Sequence, residues 1–228
     1  SKILGKTVDS IELTHDVPQA FRYLRPWIQH GWEMVLLVAE LYREKSQLDN
    51  QNFKDFSANY HQRCQEALEI WQWTPAQLQK ALDDVRRETI SNDLNTWLES
   101  HKPFSEVIER LKKIETEGFA LAVLTTKSAE FTDQLLKSFE INTTFLYGHE
   151  SGTKSDVLLQ LSKNHLIQGF IEDRRATLEK ILKNSDLKSI PCYLAAWGYL
   201  KPEDSKNLPK GISLLDQQSF SQPLANWN

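Results

Sequence analysis

With 228 residues, 40% of them hydrophobic and 25% charged, the chain has an ordinary globular composition: one large domain, or a core plus a smaller module. A formal net charge of −4 with no long basic run argues against a dedicated nucleic-acid binder. No stretch approaches the roughly 18 uninterrupted apolar residues of a membrane span, and no signal peptide or lipidation motif stands out, so no membrane partner is expected. Cys64 and Cys192 lie far apart in different contexts, as buried free thiols of a reducing compartment would. The expected location is the cytoplasm or a plastid stroma.

Residues 1–13 carry no clear period. From Val17 to about His101 the pattern is helical. Asp16 is a candidate cap for a segment with apolar positions at Val17, Ala20, Phe21 and Leu24, and Arg25-Pro26 is a break. Trp27 to Tyr42 is rich in apolar residues. Phe53, Phe56, Tyr60, Cys64 and Leu68 recur at three- and four-residue steps, one face of a helix. Thr74-Pro75 opens another helix, with Thr as cap and Pro in the first turn. Its apolar positions are Leu78, Leu82 and Val85, and the pattern continues through Leu98. Residues 1–102 are therefore read as an all-helical module of four or five helices.

At Pro103 the pattern changes. A helix through Val107, Leu111 and Ile114 stops near Gly118. Strands are expected at Phe119–Leu124, Phe145–Tyr147, Leu166–Ile171, Ile190–Ala195 and Ile212–Leu215, and helices at Ala129–Phe139, Ser155–Asn164 and Leu178–Leu187. Strands alternating with helices imply crossovers and a mainly parallel sheet, so residues 103–228 read as an α/β core.

Three strand ends in this half carry residues suited to chemistry. The run Leu166 to Ile171 ends in Glu172-Asp173, acidic groups delivered to the carboxyl end of a strand, where open α/β sheets bind ligands. Two adjacent carboxylates repel each other, and a hard cation such as Mg²⁺ relieves that repulsion; a solvated acidic N-cap uses the same residue types. Thr125-Thr126-Lys127 follows the first apolar run, where hydroxyls and backbone N–H groups can hold a phosphate or cap the next helix. Lys154, opening a helix after Gly148–Thr153, can neutralise phosphate charge. That loop almost spells a nucleotide-binding P-loop, but Thr153 stands where the pattern needs glycine before the lysine.

In this order, Ala122–Lys127, Lys154 and Phe170–Asp173 resemble motifs II, III and IV of the haloacid dehalogenase superfamily. Pro103–Val107 looks like the segment that re-enters the core in that family. Arg25-Pro26-Trp27, Gly31–Met34 and Ala196–Tyr199 look similar to a subgroup from photosynthetic organisms with a C1-type cap. The resemblance implies a three-layer Rossmannoid core plus a helical cap, and a Mg²⁺-dependent phosphatase of a small phosphorylated metabolite working through an aspartyl-phosphate. It gives Thr125 the phosphoryl group, bound through its hydroxyl and backbone N–H, with Thr126 beside it. Lys154 would balance the phosphate charge, Glu172 and Asp173 would hold Mg²⁺, and Arg25 with Trp27, Trp32 and Glu33 would select substrate from the cap, helix–helix packing being the alternative use of that set.

The family's motif I, Asp-x-Asp on the first core strand, has no counterpart before Val17, and Asp9 and Asp16 lack an apolar lead-in. The sole methionine is Met34, so the expectation is a first strand upstream of Ser1. Without that strand two others keep unpaired edges, and the 228 residues alone would not turn over a phosphoester. The rival readings are a non-catalytic binding or regulatory relative and a P-loop-like nucleotide binder. The six histidines show no zinc-binding spacing.

Overall fold

Thr74 shows how directly the sequence sets local structure: its hydroxyl accepts from the Gln77 N–H, the Gln77 side chain reaches back to the Thr74 N–H at 2.8 Å, and Pro75 fills the first turn. The computed structural model describes residues 17–43, 46, 48 and 53–227, so the expected Asp16 cap, Asp9 and the stretch 1–13 lie outside the described residues. The chain divides into two units, Ser1–Trp97 and Leu98–Asn228.

The described residues of the first unit form helices α1 (Gln19–Leu24), α2 (Gly31–Tyr42), α3 (Phe53–Ala58), α4 (Tyr60–Trp71) and α5 (Pro75–Asn92), with α6 (Leu94–Glu99) at the boundary. A 3-10 turn at Arg25–Trp27 ends α1, as the proline requires. The single helix expected across Phe53–Leu68 is two, broken at Asn59, yet Phe53, Phe56, Tyr60, Cys64 and Leu68 all face the core. The helix from Pro75 also stops early. Asp93 breaks it and caps α6 by accepting from the Thr96 N–H, and Val85 faces outward. Leu24, Leu36, Leu37, Phe56 and Leu78 are almost fully buried, each worth about 1.5–3 kcal/mol of apolar burial.

Beneath that core sits a charged knot. Glu40, 1% exposed, accepts from Arg43 Nε and Nη2, Ser46 Oγ and Trp71 Nε1 at 2.7–3.0 Å. Burial pushes its carboxyl up, but those hydrogen bonds and the Arg43 charge outweigh burial, and the net shift is downward. A buried carboxylate is tolerated because its oxygens are supplied with donors.

The second unit begins with α7 (Ser105–Ile114), a 3-10 turn and Gly118 at φ +84°, a left-handed stop that suits glycine. Then follow β1 (Ala122–Leu124), α8 (Ala129–Ser138), β2 (Phe145–Tyr147), α9 (Lys154–Ser162), β3 (Phe170–Glu172), α10 (Arg175–Lys183), β4 (Cys192–Ala195), β5 (Ile212–Leu215) and α11 (Gln217–Ser221). All strand pairings are parallel: β1 with β2, and β3–β4–β5. Alternate residues point to opposite faces. Phe170, Cys192, Leu194 and Ile212 meet Leu158, Leu178 and Ile181 from α9 and α10, while Ile171, Tyr193 and Leu215 meet Val107, Leu111, Phe220 and Trp227 on the other side. The result is helix–sheet–helix layering, the α/β fold with a helical cap module that the sequence implies.

Two strands are shorter and more open than expected. Of Phe119–Leu124 only Ala122–Leu124 is strand and Ala122 is exposed; of Leu166–Ile171 only Phe170 onward is strand, and Leu166 is 84% exposed. Both border one feature. β1 and β3 each keep an edge that no described strand pairs, and between them runs a slot of about 470 Å³. Ala122–Leu124 and Phe170–Ile171 line its sides, with Val107 and Leu111 of α7 and Leu158 and Leu161 of α9 also lining it.

Arg110 anchors the chain end. Its guanidinium is 2% exposed, bonds both oxygens of Glu117 at 2.7 and 2.9 Å and the Phe220 carbonyl at 3.0 Å, and lies 5.6 Å from the Trp227 ring centroid.

Candidate active site

The site forms where strands end and helices begin. Past β1, the Thr125 N–H donates to the Tyr147 carbonyl at 2.9 Å, extending the ladder with β2, while Thr125 Oγ1 accepts from the Lys127 N–H at 3.0 Å. The backbone donor expected of Thr125 is therefore committed to the sheet, and its hydroxyl proton is what remains to offer. Thr126 is exposed in the same turn. Neither threonine caps α8; Ser128 does, accepting from the Phe131 N–H.

Two loops are tied together here. The His149 N–H donates to the Lys127 carbonyl at 3.1 Å, and Glu150 Oε1 accepts from the Ala129 N–H at 2.9 Å. Gly148 makes this possible, since a Cβ there would stand 2.2 Å from the Ala129 nitrogen. Sequence reasoning saw the loop for its lysine and missed the Glu150 tie; a glycine directly after a strand was the available signal.

Thr153 caps α9 in a reciprocal box with Asp156, which delivers Lys154 as the first helical residue. Lys154 Nζ bonds Glu172 Oε2 at 2.5 Å; the two side chains are 22% and 10% exposed. Lys154 follows β2 and Glu172 ends β3, so this contact brings the carboxyl ends of the two sheets together. Burial raises the Glu172 carboxyl above its ordinary range, with Lys154 pulling down through charge and hydrogen bond and Asp173 adding repulsion. Burial wins. Asp173 Oδ2 accepts from the Tyr199 N–H at 3.2 Å, a partner from the loop after β4.

Among the described residues no three His, Cys, Asp or Glu side chains gather into a metal-holding group. Glu172 and Asp173 are a pair of hard oxygen donors, one of them a buried carboxylate that Lys154 does not fully compensate, and that chemistry fits Mg²⁺ with water or ligand oxygens completing the shell. Arg25 belongs to the first unit, half-buried in the Arg25–Trp27 turn. Of its expected companions, Glu33 is 3% exposed and committed to capping α2, accepting from the His30 and Gln29 N–H groups.

A sequence model of the haloacid dehalogenase-like hydrolase family matches residues 34–149, just over half of the chain. The chain belongs to that family. No curated protein and no solved structure matches it. The matched stretch of this haloacid dehalogenase-like hydrolase includes Thr125 and Thr126 and stops before Lys154, Glu172 and Asp173. The grouping of those three rests on geometry.

Proposed function

We propose that the protein is a Mg²⁺-dependent phosphatase of a small phosphorylated metabolite, with neither nucleic acid nor membrane as partner. The observation that best supports this reading is the Lys154–Glu172 contact, which joins the carboxyl ends of the two parallel sheets, with Asp173 next in sequence and Thr125 at the end of β1. Ligands of open α/β sheets bind at such ends.

In this reading the Thr125 hydroxyl donates to a phosphate oxygen and the exposed Thr126 supplies a backbone N–H from the same turn. Lys154 holds a fixed positive charge against the phosphate. Glu172 and Asp173 hold the cation, which when bound supplies a Lewis-acid clamp on the phosphate oxygens. None of these side chains is a phosphoryl acceptor, and no Asp-x-Asp occurs anywhere in the 228 residues. The edges of β1 and β3 that no described strand pairs, with the slot between them, support entry there of a strand carrying the family's Asp-x-Asp, parallel to both, so that its carboxylates would emerge at the same end.

The test is Mg²⁺-stimulated hydrolysis of a panel of phosphorylated metabolites by the full-length protein, beside Asp173→Asn. A loss of at least about 100-fold in the variant, with weaker Mg²⁺ binding, is expected. Hydrolysis that ignores both Mg²⁺ and the substitution refutes the proposal, and ligand binding without any hydrolysis favours the non-catalytic relative.

A further inference from the structure

The loop after β4 holds a glycine that the backbone conformation does not demand. Gly198 has no positive φ, yet a Cβ built on it would lie 2.1 Å from Asp173 Cβ, 3.0 Å from its Cγ and 2.9 Å from its Oδ2. The first of these atoms is next to the backbone, so no rotation of the Asp173 side chain relieves the contact. The next residue, Tyr199, donates its N–H to Asp173 Oδ2 at 3.2 Å. Asp173 thus rests flat on Gly198 with one oxygen held from the same turn.

The turn is fixed in its own right. The Gly198 N–H donates to the Ala195 carbonyl at 3.2 Å and the Leu200 N–H to the Gly198 carbonyl at 3.1 Å. Trp197 packs on Phe220 with centroids 5.0 Å apart. Further along, Arg175 at the start of α10 donates to the carbonyls of Lys206 (2.7 Å), Asn207 (3.2 Å) and Glu203 (3.4 Å), and Glu179 orients it at 2.7 Å. Arg175 stands two residues from Asp173, so the segment that presents the carboxylate also grips the loop that seats it.

We propose that Gly198 and the Tyr199 N–H are positioning residues for Asp173, fixing its rotamer so that Oδ2 is retained by the loop and Oδ1 is presented to the cleft. The proposal rests on the reading of Asp173 as a cation ligand, and it gives the loop after β4 a stated role. A glycine is needed at 198 because any side chain pushes Asp173 away from the loop and breaks the Tyr199 bond.

The experiment uses the full-length protein as wild type, Gly198→Ala, Asp173→Gly and the double variant, with Mn²⁺ alone as the probe and melting temperature as a second readout. Gly198→Ala is expected to weaken Mn²⁺ binding about 10- to 100-fold, as loss of a residue that orients a ligand does. In the Asp173→Gly background, where the clashing Cβ is gone, the same substitution lowers the melting temperature less than it does in wild type. This comparison decides the matter even where Gly198→Ala alone folds poorly. Mn²⁺ affinity unchanged in a folded Gly198→Ala, or an equal melting penalty in both backgrounds, overturns the proposal. Absence of Mn²⁺ binding in wild type sinks the cation reading itself, and the melting comparison then judges the seat separately.

Discussion

Lys154→Met is expected to destabilise the protein by an amount that grows with pH. Lys154 Nζ and Glu172 Oε2 are 2.5 Å apart, and with the side chains only 22% and 10% exposed little water is at hand to replace the ammonium. Breaking a buried pair from one side costs about 3–5 kcal/mol; the partial exposure of Lys154 brings the expectation to about 2–4 kcal/mol at pH 8. The sign follows from Glu172. Its folded-state pKa is raised above the ordinary 4.5, first by burial, so the stability linked to its protonated form is fully present below 4.5 and is lost as pH rises through the folded value. Lys154 opposes that rise, and removing it moves the folded value further up. Each added unit costs about 1.4 kcal/mol on the alkaline side and nothing below 4.5. Urea unfolding at pH 5, 6, 7 and 8 reads this as a widening gap between wild type and variant. A gap that is constant across the series, or below about 0.5 kcal/mol at pH 8, refutes the reasoning.

In the helical unit, Glu40→Gln should cost about 1–3 kcal/mol at neutral pH. Because the Glu40 carboxyl is depressed, its contribution is present above 4.5 and is lost as pH falls through the folded value, so acid titration followed by tryptophan fluorescence should show a difference that closes in that window. Arg110→Met removes the guanidinium donors of Glu117, which keeps the Leu224 N–H at 3.3 Å, and of the Phe220 carbonyl; with Glu117 a quarter exposed, chemical denaturation should register about 2–4 kcal/mol. The Cys64 thiol is pushed up to about 12 by burial and then by Glu33, and that of Cys192 to about 11 by burial. Labelling by a disulfide reagent at pH 8 should therefore follow unfolding, and fast labelling of either cysteine in the native protein contradicts the burial argument.

What the sequence declared most clearly were features fixed by near neighbours. The Thr74-Pro75 start, the Gly118 stop and the strands Phe145–Tyr147 and Ile212–Leu215 stand where their residues predict, because capping, left-handed glycine and β-branched or aromatic runs act within a few residues. Asn59 and Asp93 were not anticipated as breaks. The apolar period runs across both, so the core face gives no hint that the backbone turns there. The strands beside the slot are shorter for a tertiary reason: apolar residues such as Leu166 and Ala122 read as buried in sequence, yet both are exposed beside edges that no described strand pairs. At the site, residue types were readable and partners were not. Nothing local says that Lys154 meets Glu172, 18 residues on, or that Asp173 meets Tyr199.

Those partners separate two carboxylates that look interchangeable in sequence. Glu172 has Oε2 bound to an ammonium in a buried setting, and Asp173 has Oδ2 bound to a backbone N–H beside Gly198. The first contact is ionic and sensitive to the charge state of the cleft: a second cation brought near Glu172 competes with Lys154 and frees it toward an anionic ligand. The second is a hydrogen bond to the carboxylate from a backbone N–H of a braced loop. In the proposed reading each carboxylate has one further oxygen to offer, so the pair would supply two donors to the octahedral shell of Mg²⁺, with water or ligand oxygens as the remainder.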